Sequence, residues 1–326
     1  MEKIAIIGAG GWGTALSIIF SKKFEIILWE KFPEYADILI NTRKNPEFLP
    51  GFTIPSDVVI TSNLHDACVQ ASILIIVVPS RYFRNVITQV KIFYKNQDVI
   101  IATKGLEPDT GLRMSEILCC EIDNKNVAIF AGPTIASEVA AGKPAAAVIA
   151  ATDIDIARKF QKKFSSTNLR LYTSTDICGL EIAGGYKNVL AIGSGIIDEI
   201  CLGDNAKAAY LTRGVHEMKN FGMQFGAKEK TFWGLAGIGD LITTSNSPNS
   251  RNHRFGMAVA AGKGKEFLSG TKMMVEGISA VQAIVKMSEK HNVEIPIASA
   301  IYRIVYQDSS PEEEVVKLMT RRLKDE

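Results

Sequence analysis

Lys3-Ile-Ala-Ile-Ile-Gly8-Ala-Gly10-Gly-Trp-Gly13-Thr-Ala-Leu-Ser17 reads as a short apolar strand, a glycine turn and the opening of a helix. Gly8, Gly10 and Gly13 stand at G-x-G-x-x-G spacing. Gly8 suits a tight turn, Gly10 a close backbone approach to a pyrophosphate, and Gly13 close packing of helix on strand. Such a helix start aims free N–H groups and a positive dipole end at phosphate. A second apolar run, Glu25-Ile-Ile-Leu-Trp29, follows and ends at Glu30, about where a dinucleotide fold puts its ribose-binding carboxylate.

Outward from that turn, apolar runs recur at Val58–Thr61, Ile73–Val78, Asp98–Ala102, Val127–Phe130, Ala145–Ala150 and Leu169–Thr173, with helical stretches between them. Runs apolar throughout suit parallel strands covered on both faces. The alternation implies a doubly wound, Rossmann-type α/β sheet with right-handed crossovers, and ligands then sit at the carboxyl ends of the strands. Pro79-Ser80, Thr103-Lys104-Gly105 and Ala131-Gly132-Pro133-Thr134 occupy such ends. They are expected to form one cleft edge with the glycine turn. After about Thr175 the β-branched runs stop and helical spacing takes over, as in Asp204–Gly226 and Val275–Lys290. Gly226 suits a helix C-cap, and Ser310-Pro311-Glu312-Glu313 opens a last helix running to the charged end Arg321–Glu326. The expected organisation is a dinucleotide-binding domain over 1–175 and an all-α substrate and catalytic domain over 176–326. The junction between such domains is a common place for an active site.

The chain has 326 residues, 47% hydrophobic and 22% charged, with a net charge of +2. That length fits about two domains. The balance, without a basic tract interleaved with aromatics, gives no footprint for nucleic acid. No apolar run approaches the ~20 residues of a bilayer span. The first strand begins at Lys3, which leaves no room for a leader and points to the cytoplasm. Cys68, Cys119, Cys120, Cys178 and Cys201 are odd in number and irregularly spaced, so reduced thiols are expected rather than disulfides. The four histidines form no metal-ligand pair, and no metal is expected.

Hydride transfer to a carbonyl also needs a proton donor. Lys187, in Gly184-Gly-Tyr-Lys187-Asn188, is a candidate, since a desolvated lysine can have its pKa lowered into a useful range. Gly234-Leu-Ala-Gly-Ile-Gly-Asp240-Leu-Ile-Thr-Thr244 is dense in glycine for a helical region. Each glycine costs a helix about 1 kcal/mol relative to Ala, so the backbone is expected to approach something closely. Asp240 can orient an ammonium or a substrate hydroxyl. Arg251 suits a bidentate grip on phosphate, with Ser250 and Asn252 adding hydrogen bonds. Lys104 can bind phosphate or assist the carbonyl, and Gly132-Pro133-Thr134 can present N–H groups and a hydroxyl. His216 reads as a packing residue. His253 lies near the candidates without a role the sequence shows.

Seven segments in order resemble the NAD(P)-dependent glycerol-3-phosphate dehydrogenases of the bacterial type. They are Gly8-Ala-Gly-Gly-Trp-Gly-Thr-Ala-Leu16, Ala102-Thr-Lys-Gly-Leu-Glu107, Gly132-Pro-Thr134 with Glu138, Gly185-Tyr-Lys-Asn-Val-Leu190, Gly203-Asp-Asn-Ala-Lys-Ala-Ala209, Gly234-Leu-Ala-Gly-Ile-Gly-Asp240 and Ser250-Arg-Asn252. The resemblance implies reversible reduction of dihydroxyacetone phosphate to sn-glycerol 3-phosphate for phospholipid synthesis. It implies that Lys187 is proton donor and acceptor, and that Lys104 and Lys187 stabilise the developing alkoxide. Lys104, Gly132, Thr134, Lys187, Asp240, Ser250, Arg251 and Asn252 would line the substrate. Gly8, Gly10, Gly11, Trp12, Gly13, Glu30, Lys31, Lys104, Ala136, Arg251 and Glu276 would meet NAD or NADP. The chain departs from the family at Trp29-Glu30-Lys31-Phe32, where many relatives carry a small residue and a basic pair. Glu30 repels a 2′-phosphate and Lys31 attracts one, so use of both cofactors with NADH preferred is expected. A second departure is Thr244-Ser-Asn-Ser-Pro-Asn249, in place of a stretch containing Thr-Cys. A homodimer is expected. A β-hydroxyacid dehydrogenase and a catalytically dead NAD sensor are the competing readings. Ser250-Arg251-Asn252 with Lys104 favours phosphate over carboxylate, and Lys187, Lys104 and Asp240 argue against a sensor.

Overall fold

The computed structural model describes residues 1–326 except Lys125, Lys272, Lys324 and Glu326. The chain divides into two compact units, Met1–Lys104 with Leu112–Glu181, and Gly105–Gly111 with Ile182–Glu326.

Among the described residues the first unit has ten strands: β1 (Lys3–Ile7), β2 (Glu25–Trp29), β3 (Lys44–Asn45), β4 (Leu49–Thr53), β5 (Val59–Thr61), β6 (Ile73–Ile76), β7 (Asp98–Ile101), β8 (Val127–Ala131), β9 (Ala145–Ala150) and β10 (Leu169–Ser174). Eight of them form one sheet in the order β5-β2-β1-β6-β7-β8-β9-β10. The strand order reverses at β1, so the glycine turn sits at the switch point where such sheets bind ligands. Residues 4–7 of β1 and all of β6 are buried, which is why their sequences are apolar without alternation. Around them pack Leu16, Phe20, Leu28, Ile100, Phe130 and Phe160.

All neighbouring pairs in this sheet are parallel except β8 with β9. The parallel reading of the whole run is corrected there. The β8–β9 connection holds only the five-residue helix Ala136–Ala140. Such a helix rises about 7.5 Å, whereas the five residues of β8 cover about 17 Å. The chain therefore turns back at the carboxyl edge instead of crossing over. A two-stranded ribbon of β3 and β4 is a feature the hydrophobic pattern did not announce.

The second unit is helical. Its longest helices are Ile177–Glu199, Asp204–Gln224 and Glu276–His291. Gly226 takes φ +86° just past the Asp204–Gln224 helix, as a C-terminal turn requires. Ser310 caps the last helix, accepting from the Glu313 N–H, but that helix ends at Met319, short of the charged tail. Lys324 and Glu326 of that tail lie outside the described residues. Glu217 is buried and accepts from the N–H groups of Ile297 and Ala298, at 2.7 and 2.9 Å, and from the Tyr186 hydroxyl at 2.7 Å. It thereby caps the Pro296–Tyr306 helix. Burial pushes its carboxyl up to about 7.

Helices cross closely where glycines remove side chains. A β-carbon at Gly195 would stand 1.9 Å from the His253 carbonyl oxygen, and one at Gly256 2.0 Å from the Ile192 carbonyl oxygen. The Ile177–Glu199 and Arg251–Ala260 helices therefore meet backbone to backbone.

Candidate active site

The three glycines of the first turn differ as their spacing requires. Gly8 has φ +122°, a backbone conformation that favours glycine, and a β-carbon there would meet the Val77 carbonyl oxygen at 2.9 Å. A β-carbon at Gly13 would lie 1.9 Å from the Gly8 carbonyl oxygen, whereas one at Gly10 meets nothing within 4 Å. Gly8 and Gly13 are thus dictated by the protein's own packing. Gly10 borders open space at the start of the Gly11–Phe20 helix, which has no acidic residue in its first turn and no side-chain cap. This cradle fits the diphosphate of a dinucleotide. Trp12 packs against Phe130 with centroids 5.7 Å apart and ring planes tilted by 41°, and its buried Nε1 has no hydrogen-bond partner among the described residues.

Asn45 on β3 holds this turn in place. It is 1% exposed. Its Nδ2 donates to the Ala9 carbonyl at 2.8 Å and to Thr14 Oγ1 at 2.7 Å. Its Oδ1 accepts from the Tyr35 hydroxyl at 2.6 Å and from the Phe48 N–H at 3.0 Å. A β-carbon at Gly11 would fall 2.6 Å from the Phe48 carbonyl oxygen and 3.9 Å from Ala136 Cβ. The ribbon is therefore seated against the phosphate turn. Sequence reasoning missed Asn45, although Asn45-Pro46 and Pro50-Gly51 are turn signals that could have marked the ribbon.

The other carboxyl ends of the sheet are tied together. Gly8 N–H donates to the Trp29 carbonyl at 3.1 Å, and Thr103 Oγ1 donates to the Val78 carbonyl at 2.8 Å. Lys104 Nζ and Thr134 Oγ1 both donate to the Gly132 carbonyl, at 2.8 and 3.2 Å. Lys104, Gly132 and Thr134 thus converge, as expected from their places after β7 and β8. Gly132 has φ +144°, and a β-carbon there would meet Ala147 Cα on β9 at 2.9 Å. Glu30, just past β2, is buried, with Oε1 accepting from the Phe32 N–H at 3.1 Å. Burial raises its carboxyl above the ordinary range, Glu47 adding to the rise and the backbone bonds of Phe32 and Lys31 opposing it.

In the helical unit Lys187 lies within the Ile177–Glu199 helix, 6% exposed. Its Nζ lies 3.1 Å from Asp240 Oδ1 and 2.7 Å from Thr244 Oγ1. Asp240 is positioned by an unusual turn. Leu235–Gly239 is π-helical, with the Gly239 N–H donating to the Gly234 carbonyl. A β-carbon at Gly237 would stand 2.1 Å from the Phe232 carbonyl oxygen. The glycine-dense segment does approach something closely, and at Gly237 that something is its own preceding backbone. The wider turn delivers Asp240 as the first residue of the Asp240–Asn246 helix. Thr244, one turn on, completes the lysine's partners. It lay at the end of the quoted glycine segment but carried no role in the sequence reading.

Arg251 begins the next helix, capped by Ser250, whose Oγ accepts from the His253 N–H. Its guanidinium donates from Nη1 to the Met274 carbonyl at 2.7 Å. Burial lowers its pKa, and Glu276 opposes that shift. Among the described residues no carboxylate forms an ion pair with it, an arrangement suited to an anionic ligand. Asn252 is engaged internally. Its Nδ2 donates to Asn188 Oδ1 at 2.8 Å and its Oδ1 accepts from the Gly277 N–H at 2.9 Å. It thereby fastens the start of the Glu276–His291 helix beside the Lys187 helix. His253 Nε2 lies 2.7 Å from Asp198 Oδ2, which also takes Lys207 Nζ at 2.7 Å.

Among the described residues no group of three or more His, Cys, Asp and Glu is placed to hold a metal, and all five cysteines are free thiols. Among the described residues no helix is long and apolar enough to cross a membrane.

Residues 3–157 match the N-terminus of NAD-dependent glycerol-3-phosphate dehydrogenase, and residues 176–316 match its C-terminus. A glycerol-3-phosphate dehydrogenase [NAD(P)+] of Salinibacter ruber is 40% identical over 100% of this chain and 97% of its own length. One from Pelotomaculum thermopropionicum is 39% identical over 98% and 93%. The crystal structure of glycerol-3-phosphate dehydrogenase from Coxiella burnetii superposes with a TM-score of 0.94 at 33% identity, covering 98% of this chain and 99% of that one.

Proposed function

The chain belongs to the NAD-dependent glycerol-3-phosphate dehydrogenase family, and from that premise we propose that it reversibly reduces dihydroxyacetone phosphate to sn-glycerol 3-phosphate with NADH or NADPH. The observation that carries the chemistry is the placement of Lys187, a buried ammonium held by Asp240 and Thr244. Two partner oxygens orient the ammonium, which is what a general acid needs.

A bound nicotinamide supplies the hydride to the carbonyl carbon and takes it back in the reverse direction. Lys187 gives the carbonyl oxygen its proton as the alcohol forms, and retakes it on oxidation. Asp240 keeps the ammonium oriented. The guanidinium of Arg251 grips the substrate phosphate. Lys104, held by the Gly132 carbonyl, adds positive charge for the developing alkoxide. Ser250 and Asn252 act by placing Arg251, the first as helix cap and the second as the tie to Asn188. Gly132 and Thr134 line the substrate, while Trp12, Lys31, Ala136 and Glu276 contact the dinucleotide. NADH is the preferred cofactor, because the buried Glu30 carboxylate disfavours a 2′-phosphate. The enzyme is cytoplasmic, works as a homodimer and supplies the phosphorylated backbone of glycerophospholipids.

The test is NADH oxidation by the purified protein with dihydroxyacetone phosphate, beside NADPH and beside a 2-keto carboxylate. Turnover confined to the phosphate substrate is the expected result. Turnover with the carboxylate alone would replace this reading with that of a β-hydroxyacid dehydrogenase. Binding of NADH without turnover would make the protein a sensor.

A further inference from the structure

Tyr82 carries two cations. Lys31 Nζ stands 5.7 Å from the centroid of its ring and Arg81 Cζ stands 5.2 Å from it. Lys31 follows the carboxyl end of β2 and also lies 5.6 Å from the Phe32 ring, while Arg81 follows the carboxyl end of β6. Among the described residues neither cation has a carboxylate within ion-pair distance. Glu30, the nearest acid in sequence, is buried and turned onto the Phe32 N–H, and Glu47 acts on Glu30. Tyr82 and Phe32 remain 43% and 59% exposed.

Two uncompensated positive charges on one ring repel each other, and a cation–π contact at an exposed site is weak. Arg81 also stands in the first turn of the Ser80–Phe93 helix, the end where the dipole disfavours a cation and favours an anion. A dianionic group between the two cations would relieve both conflicts. The two strand ends concerned flank β1, whose turn cradles the dinucleotide phosphates. The only other phosphate that distinguishes the two nicotinamide dinucleotides is the one on the adenosine 2′ oxygen.

We propose that Arg81, together with Lys31 across the Tyr82 ring, binds the adenosine 2′-phosphate of NADPH and is what lets this enzyme accept that cofactor despite Glu30. The inference rests on the reading of the chain as an NAD(P)-dependent dehydrogenase. It assigns a specificity role to a residue outside the β2 segment, where the charge pattern of the sequence had placed the choice.

The test uses the full-length enzyme and two probes, 2′,5′-ADP and 5′-AMP, titrated by calorimetry into wild type, Arg81→Ala and Arg81→Lys. The alanine variant is expected to bind 2′,5′-ADP about tenfold more weakly while 5′-AMP affinity changes less than twofold. Arg81→Lys is expected to restore most of the loss. In turnover, the KM for NADPH rises about tenfold in Arg81→Ala with kcat unchanged, so the NADPH to NADH ratio of kcat/KM falls by that factor. Equal weakening of both probes would mark Arg81 as merely structural and overturn the proposal, as would unchanged 2′,5′-ADP affinity. A wild type that binds 2′,5′-ADP with the expected Arg81 dependence yet reduces no ketone phosphate would overturn the activity reading and leave this one standing.

Discussion

Glycine does opposite work at Gly10 and at the Gly195–Gly256 crossing. At Gly10 the missing side chain leaves open space beside a helix start. At Gly195, Gly256 and Gly237 the missing side chain is replaced at once by the protein's own carbonyl oxygens. Gly10 keeps a surface bare for a ligand. The three glycines of the helical unit bring main chains together, so that Lys187, Asp240 and Arg251 are held by rigid elements. Gly10 is therefore expected to tolerate substitution structurally and fail functionally, and the helix crossing to do the reverse.

The largest effect tests what the crossing holds. Lys187→Ala is expected to lower kcat by about 10³-fold or more, with NADH affinity retained when measured by nucleotide fluorescence. An equal loss of NADH binding would mean that the lysine holds structure rather than a proton. Next comes the pair that probes the contrast directly. Gly195→Ala gains about 1 kcal/mol of helix propensity against overpacking of about 3 kcal/mol, for a net loss of about 2 kcal/mol in denaturant unfolding. Gly10→Ala is expected to leave stability within about 0.5 kcal/mol, because φ −68° and ψ −177° suit alanine. Its NADH KM should rise about tenfold. If Gly10→Ala destabilises and Gly195→Ala does not, the contrast is broken. Asn45→Ala sits between these cases. It removes the donor to Thr14 Oγ1 and the acceptor of the Phe48 N–H, and leaves the Ala9 carbonyl only the longer bond from Thr14 Oγ1, a cost of about 1–3 kcal/mol. It should raise the NADH Kd several-fold with kcat for saturating substrates kept.

The last test is one of pH, and it leaves activity aside. Glu217 has a folded-state pKa raised to about 7 from 4.5. Between those values the folded chain holds a proton that the unfolded chain releases. Its contribution is fully present below pH 4.5 and is lost as pH rises through 7. The thermal midpoint of wild type should therefore fall between pH 5 and 8 by more than that of Glu217→Gln. Parallel curves for the two proteins would show that Glu217 does not titrate in this range.

The sheet and its ligand edge were legible because buried parallel strands are written as apolar runs, and because Gly8, Gly10 and Gly13 act over a few residues of chain. Lys104, Gly132 and Thr134 were legible for a related reason: each follows a strand end. The antiparallel return at β9 was not, since direction depends on the length of the Ala136–Ala140 helix and not on the pattern of β9 itself. Thr244, Asn45 and the Gly195–Gly256 crossing were hidden because their partners lie far along the chain. Gly105–Gly111 belongs with the helical residues for the same reason, and nothing in its composition marks it. The sequence assigns Asn252 to the substrate, whereas in the fold its amide is engaged with Asn188 and Gly277, partners that no local pattern announces.

The Gly195–Gly256 crossing also bears on how such a chain can diverge. A larger side chain at either position meets a backbone carbonyl, not another side chain, so no second substitution opposite can make room for it. The two positions have no compensating partner and must be inherited together with the helix pair. Gly185, whose β-carbon would meet nothing nearer than 3.5 Å, is under no such bond and can drift to alanine alone.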